Sequence, residues 1–222
     1  AKADSILKAY QIPVRKLTGV TKPTYIEHLI ALAENAEEQG EYTKANRYYA
    51  MSKRATEYYS NTFRQSSKTY FRLQEGIARN VIENNGILQV LRVFELNRDA
   101  KRYFDKNSIY PIKARMVKIE QMMSRRRYPE ARKELLDILS KENIVPKDHE
   151  IRARATKYLG QIYTKIEVSA SEMEKVYQDW FTIQKSRYKE NSFYYQTSEI
   201  EMANYYNEET EDYRKAKTAF EK

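Results

Sequence analysis

The chain repeats itself about every 43 residues, and that period limits its fold more than any other feature. Gly40-Glu41-Tyr42-Thr43-Lys44-Ala45 recurs loosely as Arg127-Tyr128-Pro129-Glu130-Ala131 and as Asp212-Tyr213-Arg214-Lys215-Ala216. Tyr42 and Tyr128 stand 86 residues apart, and Tyr128 and Tyr213 stand 85 apart, each close to two periods. Weaker turn signals fall midway, at Asn84-Asn85-Gly86 and at Val168-Ser169-Ala170-Ser171. A fixed period in the range of about 20–50 residues marks a solenoid, whose stacked units bury a core that no single unit could build. Such arrays rarely carry chemistry; they present an extended surface to other macromolecules.

Only 5 Gly and 5 Pro serve 222 residues, too few for an all-β chain and natural for long helices. Residues 1–23 carry a short apolar stretch (Ile6, Leu7, Tyr10) broken by Pro13, Gly19 and Pro23, and read as an N-terminal cap. Five helical hairpins follow, at about 24–60, 62–106, 110–143, 149–189 and 192–222. The first has Ile26, Leu29, Leu32, Ala33 and Ala36 on one helical face. Gly40 then ends that helix, and Tyr42, Ala45, Tyr49 and Ser52 line the next. The second hairpin has Phe63, Tyr70, Leu73, Ile77, Val81 and Ile82, then Leu88, Leu91, Phe94, Ala100 and Phe104, with a break near Asn97. The third opens at Pro111 and places Val117, Ile119 and Met122 before its turn and Ala131, Leu135 and Ile138 after it. The fourth has Ala155, Leu159, Gly160 and Tyr163, then Met173, Tyr177 and Trp180. The fifth has Tyr195, Met202, Ala203 and Tyr206, then Tyr213, Ala216 and Phe220.

These residues resemble tetratricopeptide repeats. Leu29, Leu32, Ala33, Ala36, Gly40, Tyr42, Ala45 and Tyr49 match the motif in the first unit, Leu159-Gly160 with Tyr163 resembles its first-helix core, and Tyr213, Ala216 and Phe220 its second. Small residues (Ala33, Ala45, Ala131, Gly160, Ala203, Ala216) stand where helices must approach closely. The family period is about 34 residues, and roughly two extra helical turns per hairpin account for the longer one here. HEAT and armadillo arrays have periods of about 40–47 and are the structural runner-up, but they do not explain the Gly-x-Tyr-x-x-Ala turn. The resemblance implies an all-α, right-handed superhelical solenoid of about five antiparallel hairpins, a single array over 1–222, with a concave groove lined by the first helix of each hairpin. Carried over residue by residue, the groove positions are Glu27, Ile30, Glu34 and Glu37; Lys113, Met116, Glu120 and Met123; Arg154, Lys157, Gln161 and Thr164; and Thr197, Ile200, Asn204 and Asn207. Arg154 and Lys157, with Gln161 and Asn204, faintly resemble the clamp that some family members close on a peptide's terminal carboxylate, without its paired asparagines.

Catalytic constellations are thin. His28 and His149 lack a metal-ligand neighbourhood, and no phosphate loop or nucleophile elbow is present. The expectation is a non-enzymatic scaffold without cofactor or metal. With no cysteine, there is no disulfide framework and no clue to redox compartment. No run of 18 or more apolar residues offers a membrane span. The chain lacks an initiator Met and stops partway through a helical pattern at Ala219-Phe220-Glu221-Lys222, which reads as a trimmed or processed chain, cytoplasmic or periplasmic.

Charge is uneven. Residues 61–140 hold 17 Lys and Arg against 9 Asp and Glu, nearly the whole surplus of the +9 chain, whereas 190–212 has seven acids and no Lys or Arg. The sharpest basic feature is Arg125-Arg126-Arg127, near Lys113, Arg115 and Lys118. Charges usually just solvate outer helix faces. The alternative is that the middle hairpins dock an acidic partner protein, or the acidic end of a second copy, since opposite fields steer association. A structural subunit of a larger cell-envelope or motility assembly is another reading. Nucleic-acid binding through 61–140 is the weakest, because the interleaved Tyr70, Phe71, Tyr103, Phe104 and Tyr110 mostly occupy core-spaced positions.

Overall fold

A computed structural model describes residues 23–57, 59, 67–84, 89–190 and 192–208. The expected cap over 1–23 (apart from Pro23), Phe63, Leu88, Asn85-Gly86 and the third copy of the turn around Tyr213 lie outside these residues. The described residues hold nine α-helices and no strand. They are α1 (Pro23–Glu38), α2 (Tyr42–Thr56), α3 (Lys68–Glu83), α4 (Gln89–Tyr103), α5 (Ile109–Ser124), α6 (Tyr128–Leu139), α7 (Glu150–Tyr163), α8 (Ala170–Arg187) and α9 (Phe193–Glu208). The chain divides into two compact units, Ala1–Ser124 and Arg125–Lys222.

In the first unit each helix packs on its chain neighbour, and α3 also packs on both α1 and α5. The reason lies in α3 itself, which is apolar on two sides. Leu73 joins Ile26, Ile30, Ala33, Ala45 and Tyr49 in one cluster, while Phe71, Ala78 and Ile82 join Val93, Leu96, Ala100, Ala114 and Val117 in another. One helix is thus a wall of two cores. Aromatic rings close the second: Phe71 meets Phe104 and Tyr110 edge-on at 5.5 and 5.1 Å, and Phe104 stacks on Tyr110 at 4.4 Å. Those rings are spent on packing.

The stripes expected on α1 and α2 are buried, Tyr42 alone being half-buried. On α4 the expectation holds at Ala100 but fails at two other positions. Leu91 and Phe94 are 48% and 62% exposed, and the buried residues are Val93, Leu96 and Ala100. The expected break is also missing: α4 runs through Asn97, whose Nδ2 donates to Val93 O and, across to α5, to Ala114 O, both at 2.9 Å. A side chain satisfied in this way has no cause to interrupt the helix.

The turn signature has a definite geometry. Gly40 has φ 71°, with Gly40 N donating to Glu37 O at 2.8 Å and Glu41 N to Ala36 O at 2.8 Å. This is a Schellman end, which needs a left-handed residue. Two periods later Arg126 has φ 58°. The following residues also agree: Glu41 has φ −84°, ψ 55° and Arg127 has φ −84°, ψ 60°, each leading into a helix that begins at Tyr. Ala45 and Ala131 then occupy matching, wholly buried positions. An ion pair spans each first turn with its signs exchanged, Glu41 with Lys44 and Glu130 with Arg127.

In the second unit α6 packs on α7, α7 on α8 and α8 on α9. Gly160 admits the ring of Tyr177, to which a Cβ would come within 3.1 Å. Tyr177 stacks on Tyr205 at 4.0 Å beside buried Met202 and Tyr206. His149 and Ser169 cap α7 and α8, accepting from Ile151 N and Glu172 N.

Two substitutions test the turn. Gly40→Ala destabilises the fold by about 1 kcal/mol, because an L side chain is strained at this φ. Arg126→Gly is neutral or stabilising, since it relieves the same strain. Urea titrations of the two variants check the opposite signs.

Candidate functional site

Three groove positions of the first unit, Glu27, Glu34 and Glu120, turn out to be engaged by side chains of α3. Thr69 Oγ1 donates to Glu27 at 2.9 Å, Arg72 Nε donates to Glu34 at 2.8 Å, and Arg79 bridges Glu75 at 2.6 Å and Glu120 at 3.3 Å. These bonds tie α1 to α3 and α3 to α5 across 42, 38 and 41 residues. In the second unit Lys157 Nζ donates to Glu201 at 2.7 Å, across 44 residues from α7 to α9. The bonds therefore recur near one repeat length. Ile30 and Met116, expected to face the groove, are buried instead at 0% and 1% exposure. The apolar arc of α1 is wider than a single stripe: Tyr25, Ile26, Leu29, Ile30, Leu32, Ala33 and Ala36 are all buried.

Glu37 lies deeper than its place on a surface face suggests. The hydroxyl of Tyr49, 1% exposed, donates to Glu37 Oε2 at 2.9 Å. Asn80, wholly buried, donates to Tyr42 O at 3.4 Å. Burial pushes the Glu37 carboxyl up from 4.5 to about 7, against the hydrogen bonds from Tyr49 and Asn80 and the charge of Arg79, which favour the anion; the charge of Glu34 adds to the rise. Tyr49 is raised too, first by burial and then by the Glu37 charge. Gly76 makes room for this tyrosine, since a Cβ there would stand 2.6 Å from ring atom Cε1.

The remaining expected site residues do not form one group. Lys113 and Arg115 are half-buried on α5. Arg125, Arg126 and Arg127 are exposed, and Arg127 is held by Glu130 at 2.9 Å. The Glu130 carboxyl is held below its ordinary value by its own backbone N–H and then by Arg127. By contrast, Arg154, Lys157 and Gln161 come together in a cleft of about 390 Å³ between α7 and α8. Asn204 is exposed on α9 and does not line it. Sequence reasoning missed the α8 side of this cleft, Trp180, Arg187 and Tyr188. Trp180 was readable only as a core position, and Arg187 as one basic residue near a helix end.

A second cleft of about 750 Å³ in the same unit has Leu139, Leu159, Val176 and Ile183 in its lining, with Glu142, Asp148, Arg152 and Lys175 among the charges around it. The described residues contain no cluster of three or more His, Asp or Glu placed to hold a metal ion, and no helix long and apolar enough to cross a membrane. No protein-family model matches the chain, and no curated protein matches it.

The Glu37 site predicts a pH dependence. Its folded pKa lies above its unfolded one, so its contribution to stability is complete below about pH 4.5 and is lost as pH rises toward 7. Glu37→Gln, which stays neutral, removes that component. Denaturation from pH 4.5 to 8 should show the wild type losing stability relative to the variant; parallel curves would refute the assignment.

Proposed function

We propose that this chain is a non-enzymatic protein-binding scaffold, built as a tetratricopeptide-like, right-handed superhelical solenoid of antiparallel helical hairpins. The observation that carries the reading is the recurrence of bonds between alternate helices at about one repeat length, Glu27 with Thr69, Arg79 with Glu120 and Lys157 with Glu201. Equivalent helices that touch side by side at a constant sequence offset extend a surface as units are added. The paired helix entries at Gly40 and Arg126 support the same period. The surface offered to a partner is the first-helix face in the second unit, where Gln161, Ile200, Asn204 and Asn207 are exposed.

Two measurements test this. A compact globule of 222 residues has a radius of gyration of about 17 Å. Small-angle scattering should give a clearly larger value, and one near 17 Å would end the solenoid reading. Photo-crosslinking side chains placed singly at Gln161 and at Ile200 should trap one shared protein from cell extract, and a probe at the exposed Lys133 on α6 should not. Equal capture at all three positions would reduce the face to a sticky surface.

A second reading, a structural subunit packed edge to edge in a larger assembly, draws on one observation. Val90, Leu91 and Phe94 on α4 are 48%, 48% and 62% exposed, an apolar strip on an otherwise polar surface. Phe94→Glu should then lower the apparent mass in light scattering, and an unchanged mass would count against it. Of the five aromatics that a nucleic-acid reading would use, Phe71, Phe104 and Tyr110 pack on one another, which weighs against it.

A further inference from the structure

Two apolar features of the surface stand open to solvent, and they differ in shape. The first is a ridge. Phe94 on α4 is 62% exposed, with Val90 and Leu91 at 48% beside it. Spacings of four and seven put Val90, Phe94 and the exposed Lys101 on one face of that helix, over about 16 Å of its length. The second is a trough. α6 and α8 both pack on α7, and all three line a cleft of about 750 Å³. Its lining on α8 recurs at spacings of three and four from Glu172 to Ser186, about 21 Å or four helical turns. Leu136 and Leu139 of α6, Leu159 of α7, and Val176 and Ile183 of α8 make it largely aliphatic, and Leu136 is 43% exposed. Ion pairs stand at its rim, Arg132 with Glu172 at 3.7 Å and Arg152 with Glu142 at 3.3 Å. A long apolar furrow is the form that takes a helix laid lengthwise.

We propose that this trough seats the α4 ridge of a second copy of the chain. An apolar projection and an apolar hollow at different places on one molecule join copies by unlike faces, so the contact does not close on itself as a two-fold dimer does. The signs of charge agree with the pairing. α4 carries four cations against two carboxylates, and the trough lining carries four carboxylates against three cations. Asp148 and Asp179 are exposed in that lining and belong to no ion pair among the described residues, which suits them to Lys101 of the incoming helix. Opposite charge orients such a contact more than it tightens it; the affinity comes from taking Phe94, Leu91 and Leu136 out of water. The inference rests on the reading of α4 as an interface and adds the surface that meets it.

The test follows the intact chain by sedimentation velocity over rising concentration. The wild type should form dimers and then longer species, because each added copy leaves one ridge and one trough open. Phe94→Glu and Leu136→Glu, with helix content checked by circular dichroism, should each weaken association at least tenfold. Their equimolar mixture decides the matter. The Phe94→Glu copy keeps its trough and the Leu136→Glu copy keeps its ridge, so the two should form a one-to-one dimer that grows no further. Thr182→Arg, at an exposed position of the trough lining, replaces Leu136→Glu if that variant folds poorly. A wild type that stays monomeric, or a mixture without the dimer, overturns the inference. Loss of association in Phe94→Glu alone, with the trough variants unaffected, also overturns it and leaves α4 an interface for some other surface, a second α4 included.

Discussion

The first unit depends on one buried tyrosine. Tyr49 leaves α2, lies against α3 where Gly76 has no side chain, and spends its hydroxyl on Glu37 of α1. Three helices thus meet at a single residue. The fit is close enough that even a methyl group at position 76 would have to displace the ring. Thr69 and Arg72 of α3 donate to Glu27 and Glu34 of α1 across the same helix pair. Exposed ion pairs of this kind add little stability by themselves, so they follow from the packing and do not create it.

How much of this was legible in the sequence depended on whether a helix had one apolar face or two. On α1 the expected stripe of Ile26, Leu29, Leu32, Ala33 and Ala36 is buried, and only Ile30, taken for a groove position, was misassigned. On α4 two apolar strips compete, one through Leu91 and Phe94 and one through Val93, Leu96 and Ala100. Helical spacing fits both. The choice is made by α5, whose Ala114 and Val117 pack against the second strip and whose backbone accepts from Asn97. That information is tertiary and was not available locally. Gly76 was missed for a similar reason: a glycine inside a helix shows its purpose only when the ring that needs it is in view.

Charge was the least readable property. The surplus of Lys and Arg over 61–140 includes Arg72, Arg79, Arg92, Arg98 and Arg127, each paired with a carboxylate, of which Glu34 lies outside that range of sequence. Residues 141–222, nearly neutral in composition, contain the cleft that Arg154, Lys157 and Arg187 line. Arg154, Lys157 and Gln161 share a cleft because spacings of three and seven put them on one side of α7. Their partners on α8 came from the rotation of one helix against the other, which no count of charges encodes.

The two matching helix entries, at Glu41 and Arg127, keep the same backbone angles while their ion pairs run in opposite directions. Shape at this corner is therefore dictated by main-chain torsion and by the alanine tucked beneath it, and polarity is a free choice. Each helix pair can be electrostatically rewritten without disturbing its neighbours, so a designer could give successive pairs different signs and leave the architecture intact.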